Sequence, residues 1–377
     1  MRLIIMKVFL DNSSTTRLKD ETKEYIISIL DIFGNPSSLH SEGEKTKKII
    51  SNARKSVAKF INSKPDEIYF TCGGSASNTL AIRGYCERNN CNLFYSPIAH
   101  KSIIECVKSY YNRFPLKVDS QGMINVKDLE RQISKSDALS FVVIDYANSE
   151  IGTVQQVEKI VQITHKYNGV IYLDCTGSIP TIPVDVSDIQ ADMIGFSAHK
   201  LGGLKGCGVL YKKASIQLEP LIYGSQEKGL IGGTENVVGI ASLGKAIEQY
   251  DYKSVSSFNR DYVYDYIINN ISDCYVVGSL ENRLVNNLYI CFRGVEGESL
   301  MLMLDMNGIQ VSTGSACNSG NLSSSPTLFE IGMDKNDVHS CIRLSFNCSE
   351  SIEEIKYVCS TITKCVNQLR ELNSSYA

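Results

Sequence analysis

The chain has 377 residues, long enough for one large domain and a smaller one, and its 43% hydrophobic and 21% charged residues are those of an ordinary globular protein. A formal net charge of −3 provides no field to draw nucleic acid or an anionic membrane, so neither is expected as a direct partner. No run of about 18 or more apolar residues is present, which argues against a membrane-spanning helix.

The first stretch, "MRLIIMKVFLDNSSTT", is too short in its apolar run for a signal peptide and reads as a first strand, with Met6 as an alternative start. A helix is predicted over 45–62, followed by strands at 67–71, 92–95 and 141–146. Residues 155–167 carry apolar positions at helical spacing and stop at a glycine; strands at 170–174 and 192–197 follow. Strand–helix alternation of this length predicts an α/β fold, a mostly parallel sheet covered by helices on both faces. From about 255 the pattern changes to a helix at 257–271, strands near 286–293 and 341–346, and a closing helix near 350–372. The expected division is a large domain of 15–255 and a smaller α+β domain built from 1–14 and 256–377.

Thirteen cysteines are scattered with no C-x-x-C spacing, so no metal site is expected, and a reducing cytoplasm would keep them as thiols. Cys106, Cys175, Cys291 and Cys341 sit among apolar neighbours and read as small core residues. Cys317 differs: "STGSACNSGNLSSSP" is small, polar and Ser/Gly-rich, and reads as a long mobile loop.

In a parallel sheet, ligands bind beyond the carboxyl ends of the strands. "FVVIDYANSEIG" delivers Asn148, Ser149 and Glu150 there, "VIYLDCTG" delivers Asp174, and "MIGFSAHK" delivers Ser197, His199 and Lys200. "EIYFTCGGSASNTLAI" runs from a strand through Gly73 and Gly74 into a helix whose first N–H groups, with the Ser75 and Ser77 hydroxyls, suit an anion. Taken singly, Asp174 reads equally as a cap and Lys200 as a solvated lysine. Together they match a molecule with a phosphate, a basic ring nitrogen and an aldehyde, which is pyridoxal 5′-phosphate.

With "FLDNSSTT", "FGNPSSLH", "ANSEIGTVQ", "LDCTGS", "FSAHKLGGLKGCGVLY", "GGTENV", "STGSACNSG" and "IRLSF" in this order, the chain resembles a class V aminotransferase of the type I pyridoxal-phosphate fold. Within that class it resembles the cysteine desulfurases of iron–sulfur cluster assembly and nitrogen fixation. The resemblance implies a mainly parallel seven-stranded sheet and a cofactor bonded to Lys200. Asp174 would pair with the ring nitrogen, and His100 would stack on the ring and shuttle protons. Gly74, Ser75, Ser197 and His199 would hold the phosphate, with Ser149 beside the ring. Thr234 would reach the phosphate of a neighbouring subunit, making an obligate homodimer with shared sites. Arg343 would grip the substrate carboxylate, with Asn148 and Asn35 on the substrate side. Cys317 would take sulfur from L-cysteine as a persulfide, leaving L-alanine, and pass it to an acceptor protein.

Four positions depart from the family pattern. Ser149 replaces a second asparagine, Gly177 a glutamine, Ala76 a glutamate and Ile231 an arginine. The first two lie where amides usually flank the ring hydroxyl. A relative preferring selenocysteine, or a degenerate paralogue acting as a dimeric scaffold, therefore remains as an alternative reading.

Overall fold

The computed structural model describes residues 6–314 and 325–373. Its strands are β1 (Val8–Phe9), β2 (Ile68–Thr71), β3 (Cys91–Tyr95), β4 (Arg113–Pro115), β5 (Leu139–Asp145), β6 (Val170–Asp174), β7 (Met193–Ser197), β8 (Gly208–Lys212), β9 (Cys274–Val276), β10 (Asn287–Phe292), β11 (Ile309–Gln310) and β12 (Cys341–Ser345). Seven of them form one sheet in the order β2-β8-β7-β6-β5-β3-β4. Five run parallel from β7 to β4, whereas β8 lies antiparallel to both β2 and β7.

The alternation along β5 shows why this sheet is buried on both faces. Val142 and Ile144 enter one apolar cluster, with Ile50, Ala53 and Val57 of the helix Ser41–Phe60. Phe141 and Val143 enter the other, with Leu80 of the helix Gly74–Arg88 and Ile103 of the helix Lys101–Val107. Successive strand residues point to opposite faces, so a continuous apolar run needs cover on both. Helical spacing supplies that cover: Thr46, Ile50, Ala53 and Val57 are the buried stripe of a 20-residue helix otherwise rich in lysine. Fully burying each large aliphatic side chain here contributes about 1.5–3 kcal/mol.

A separate apolar cluster joins Val8 and Leu10 to residues between Val263 and Val366, around the sheet β12-β10-β9 and the helix Ile352–Leu372. β1 pairs in parallel with β11, so the start of the chain packs against its last third. A smaller cluster with Ile98, Ile151, Tyr289 and Leu328 bridges the two halves. Among the described residues no helix is long and apolar enough to cross a membrane.

Candidate active site

β5, β6 and β7 are adjacent and parallel, so Asp145, Asp174 and Ser197 end side by side on one edge. Asp174 is buried, and both its oxygens are used: Oδ2 accepts from Asn78 Nδ2 at 2.8 Å and Oδ1 from the Thr176 N–H at 2.9 Å. The Asn78 amide also donates to Ser102 Oγ at 2.9 Å, and its carbonyl accepts the Tyr172 hydroxyl. Ser102 in turn meets His100 Nδ1 at 2.8 Å, while His100 caps the helix Lys101–Val107. Asp174 and His100 are therefore linked through two side chains that the sequence reading missed. Asn78 carried a signal: it lies three residues after Ser75, on the same helix face as the first-turn donors.

The start of the helix Gly74–Arg88 is built for an anion. Gly73 precedes it at φ 151°, a conformation that suits glycine, and no side chain caps the helix. A Cβ on Gly74 would lie 2.9 Å from Thr176 Oγ1 and 3.6 Å from Ser197 Cβ, so the three converge there. Thr176 Oγ1 is buried without a hydrogen-bond partner. Ser75 is exposed at this helix start. Ser77 is not available: its hydroxyl is buried and bonds Val209 O at 2.9 Å and Thr71 Oγ1 at 2.8 Å. That corrects the expectation that both serines face an anion. His199 Nδ1 lies 3.1 Å from Thr15 Oγ1; burial, aided by Lys200 and Lys205, lowers its pKa to about 4, so the ring is neutral at neutral pH.

Lys200 closes the short turn after β7 and donates to the backbone carbonyls of Ser13 and Ser14, the latter at 2.9 Å. Arg343 comes to the same place from the other half of the chain. Its Nη2 meets Asp11 Oδ1 and Ser14 Oγ, each at 2.8 Å, and Nη1 meets Ser149 O at 3.1 Å. Its Nε is buried and has no hydrogen-bond partner. Strand alternation sends Ile342, Leu344 and Phe346 into the apolar cluster while Arg343 faces this junction.

Other expected residues fall elsewhere. The Asn148 side chain holds its own loop, accepting from the Glu150 and Ile151 N–H groups and donating to Ile98 O. Asn35 is exposed and accepts from the Ser37 N–H, and Thr234 is exposed. Neither has a hydrogen bond to the cluster around Asp174 and Lys200 among the described residues. Cys317 lies outside the described residues. The chain is described up to Gly314, where a Cβ would lie 2.0 Å from Glu150 Oε1, and again from Ser325, whose hydroxyl faces the same carboxyl. Burial raises the Glu150 pKa.

The two departures beside the expected ring position are neighbours. A Cβ on Gly177 would sit 3.2 Å from Ser149 Cβ and 3.1 Å from Ala147 O. A longer residue at 177 therefore occupies space beside a short one at 149. Gly177→Gln restores an amide there, and one net hydrogen bond of about 1.4 kcal/mol would tighten cofactor binding about tenfold. Equilibrium binding of the cofactor to the apoprotein measures this, and unchanged or weaker binding would remove the role assigned to that position.

The residues present fit a molecule with a phosphate, a basic ring nitrogen and an aldehyde. An uncapped helix start and an orphaned hydroxyl suit an anion, a buried carboxylate suits a cation, and a lysine follows the neighbouring strand on the same sheet edge.

The family model described as aminotransferase class V matches residues 8–358, and the chain belongs to that family. It shares the type I pyridoxal-phosphate fold with a solved NifS-like protein, at a TM-score of 0.88 and 29% identity over 96% of this chain and 100% of that one. Within the family it belongs with the cysteine desulfurases. It is 36% identical to the cysteine desulfurase IscS of Dictyoglomus turgidum, over 97% of this chain and 96% of the relative. Its identity to the IscS of Methanosarcina thermophila is 34%, over 97% and 93%. A solved SspA in complex with cysteine matches at a TM-score of 0.79 and 29% identity, over 91% of this chain and 99% of that one.

Proposed function

We propose that the chain is a pyridoxal-phosphate-dependent cysteine desulfurase that converts L-cysteine to L-alanine, leaving the sulfur on Cys317 as a persulfide for an acceptor protein. The C–S bond of the substrate breaks and an S–S bond forms on Cys317; cysteine plus a thiol yields alanine plus a persulfide, with no outside oxidant. The observation that carries this reading is the convergence of Asp174, Lys200 and the uncapped Gly74 helix on one sheet edge, with the orphaned Arg343 Nε across the junction.

When bound, the cofactor supplies an electron sink for bonds at the substrate α-carbon. The protein's own groups do the rest. Gly74, Ser75, Thr176 and Ser197 hold the phosphate, with neutral His199 as a further donor. Asp174, fixed by Asn78 and Thr176, holds the positive ring nitrogen. Lys200 Nζ would hold the aldehyde end and move a proton, and His100, oriented by Ser102, would lie on the ring side. Arg343 offers its guanidinium to the substrate carboxylate, which takes over from Asp11. Gly314, three residues before Cys317, packs against Glu150, next to Ser149.

The same reading assigns a homodimer in the cytoplasm, with the division into 15–255 and 1–14 plus 256–377. Phe33 at 82%, Leu39 at 93% and Tyr223 at 88% exposure are apolar side chains available to a second copy.

Cys317→Ser is the test. The purified variant should bind the cofactor and show its visible absorption while cysteine-dependent alanine formation falls at least about 100-fold, as loss of the acceptor nucleophile demands. Unchanged turnover would remove Cys317 from the mechanism. A colourless wild type that takes up no added cofactor would favour the scaffold reading, and preferential turnover of selenocysteine would change the substrate.

A further inference from the structure

The sheet edge holds a carboxyl group that the reaction above does not use. β5 and β6 pair in register, with Asp145 directly opposite Asp174. Each is the last residue of its strand, and each follows by two a residue of the same apolar cluster, Val143 and Tyr172, so both side chains lie on one face. Neighbouring strands are about 4.8 Å apart, which makes the carboxyls side-by-side neighbours.

Their surroundings are unequal. Asp174 accepts a hydrogen bond on each oxygen, the pattern of an ionised carboxylate. Asp145 is buried, and its Oδ1 has no hydrogen-bond partner. Ser96 Oγ, at the end of β3, faces it without forming an aligned bond, and the Asn148 amide beside it already donates to Ile98 O. The charged group that bears on it is Asp174, on β6. An anion with an unsatisfied oxygen, in a dry site beside another anion, is costly unless it takes a proton.

We propose that Asp145 is a positioning residue that holds a proton beside the Asp174 carboxylate and gives it up when a cationic ring nitrogen is set against Asp174. The step balances: the Asp145 O–H bond breaks, its electron pair stays on the carboxylate, and the proton goes to water. Burial raises the Asp145 pKa to about 7; its own backbone N–H opposes this, the charge of Asp174 adds to the rise, and the Ser96 and Asn148 side chains oppose it by less. A positive charge against Asp174 offsets the contribution of the Asp174 charge, so the pair adjusts its charge to whether a cation is bound. This inference rests on reading the site as a pyridoxal-phosphate site.

The experiment counts protons. Pyridoxal phosphate is titrated calorimetrically into apoprotein in two buffers of different ionisation heat, for wild type and Asp145→Asn. At about pH 6 the wild type should release up to about one proton more than the variant, and the difference should vanish by about pH 9, where Asp145 is already ionised. Equal proton counts at both pH values, with the cofactor bound, overturn the inference. Failure of either protein to bind the cofactor would instead overturn the reading of the site.

A second readout needs no cofactor. The folded pKa lies above the unfolded value of 3.8, so the folded apoprotein binds the extra proton. Its stability therefore declines as pH rises between those values and has lost the whole contribution above the folded pKa. Asp145→Asn should flatten this decline and melt above wild type at about pH 8, leaving the Glu150 contribution in place. If the variant does not fold, the infrared carboxyl band of wild-type apoprotein decides: a protonated carboxyl that titrates near neutrality and shifts to lower pH with cofactor supports the pair, and its absence overturns it.

Discussion

Lys200→Ala should reduce cysteine-dependent alanine formation by about 10³-fold or more, because under the proposed function it removes both the amine that bonds the cofactor and the group that returns a proton; proton transfer alone is worth about 10²–10⁴-fold. The structure explains why nothing nearby substitutes. The amine is aimed by the carbonyls of Ser13 and Ser14, on the segment that follows β1, and the adjacent His199 is neutral and engaged with Thr15. Borohydride treatment followed by mass spectrometry should find the cofactor fixed to wild type and absent from the variant. Because Lys200 also ties the Ser13–Ser14 segment to the sheet edge, a melting curve must accompany the assay. A variant that melts like wild type and still turns over cysteine at more than about a tenth of the rate would remove Lys200 from the chemistry.

Asp174→Asn should be the next most damaging change. Breaking a buried charge pair costs about 3–5 kcal/mol, or roughly 200- to 5,000-fold in turnover to the extent that the pairing with the ring nitrogen strengthens in the transition state. Asparagine is also a poor isostere here. Whichever oxygen becomes nitrogen, a donor then faces a donor, either the Asn78 amide or the Thr176 N–H. The apoprotein should therefore lose about 1–3 kcal/mol of stability as well. Turnover and apoprotein melting read the two effects separately. An unchanged rate in a destabilised variant would leave Asp174 a structural residue only.

The sequence alone carried most of the fold and the central part of the site. Apolar runs at β3, β5, β6 and β7 alternate with helices, and chain direction puts the ends of the parallel strands on one edge, so Asp174, Ser197 and Lys200 are legible as neighbours in the sequence. What depends on contacts between segments distant in the chain was not. Asn78, Ser102 and Tyr172 are ordinary helix and strand residues until packing brings Asn78 against Asp174, 96 positions away. Ser77 read as an anion donor because helix starts are read from composition, yet the helix turns it inward onto Val209. Ser149 and Gly177 looked like two separate departures, and the fold makes them one site.

Sequence by itself thus determined the α/β class, the family and a set of candidate site residues, because periodicity, chain direction and residue chemistry are local properties. Only the tertiary structure decided which of those residues are free to act. Hydrogen-bond partners, burial and charge neighbours arise when β1 docks on β11, when Arg343 crosses to Asp11, and when β5 and β6 align Asp145 with Asp174. Those pairings join segments from opposite ends of the chain or from separate strands, and no local pattern encodes them.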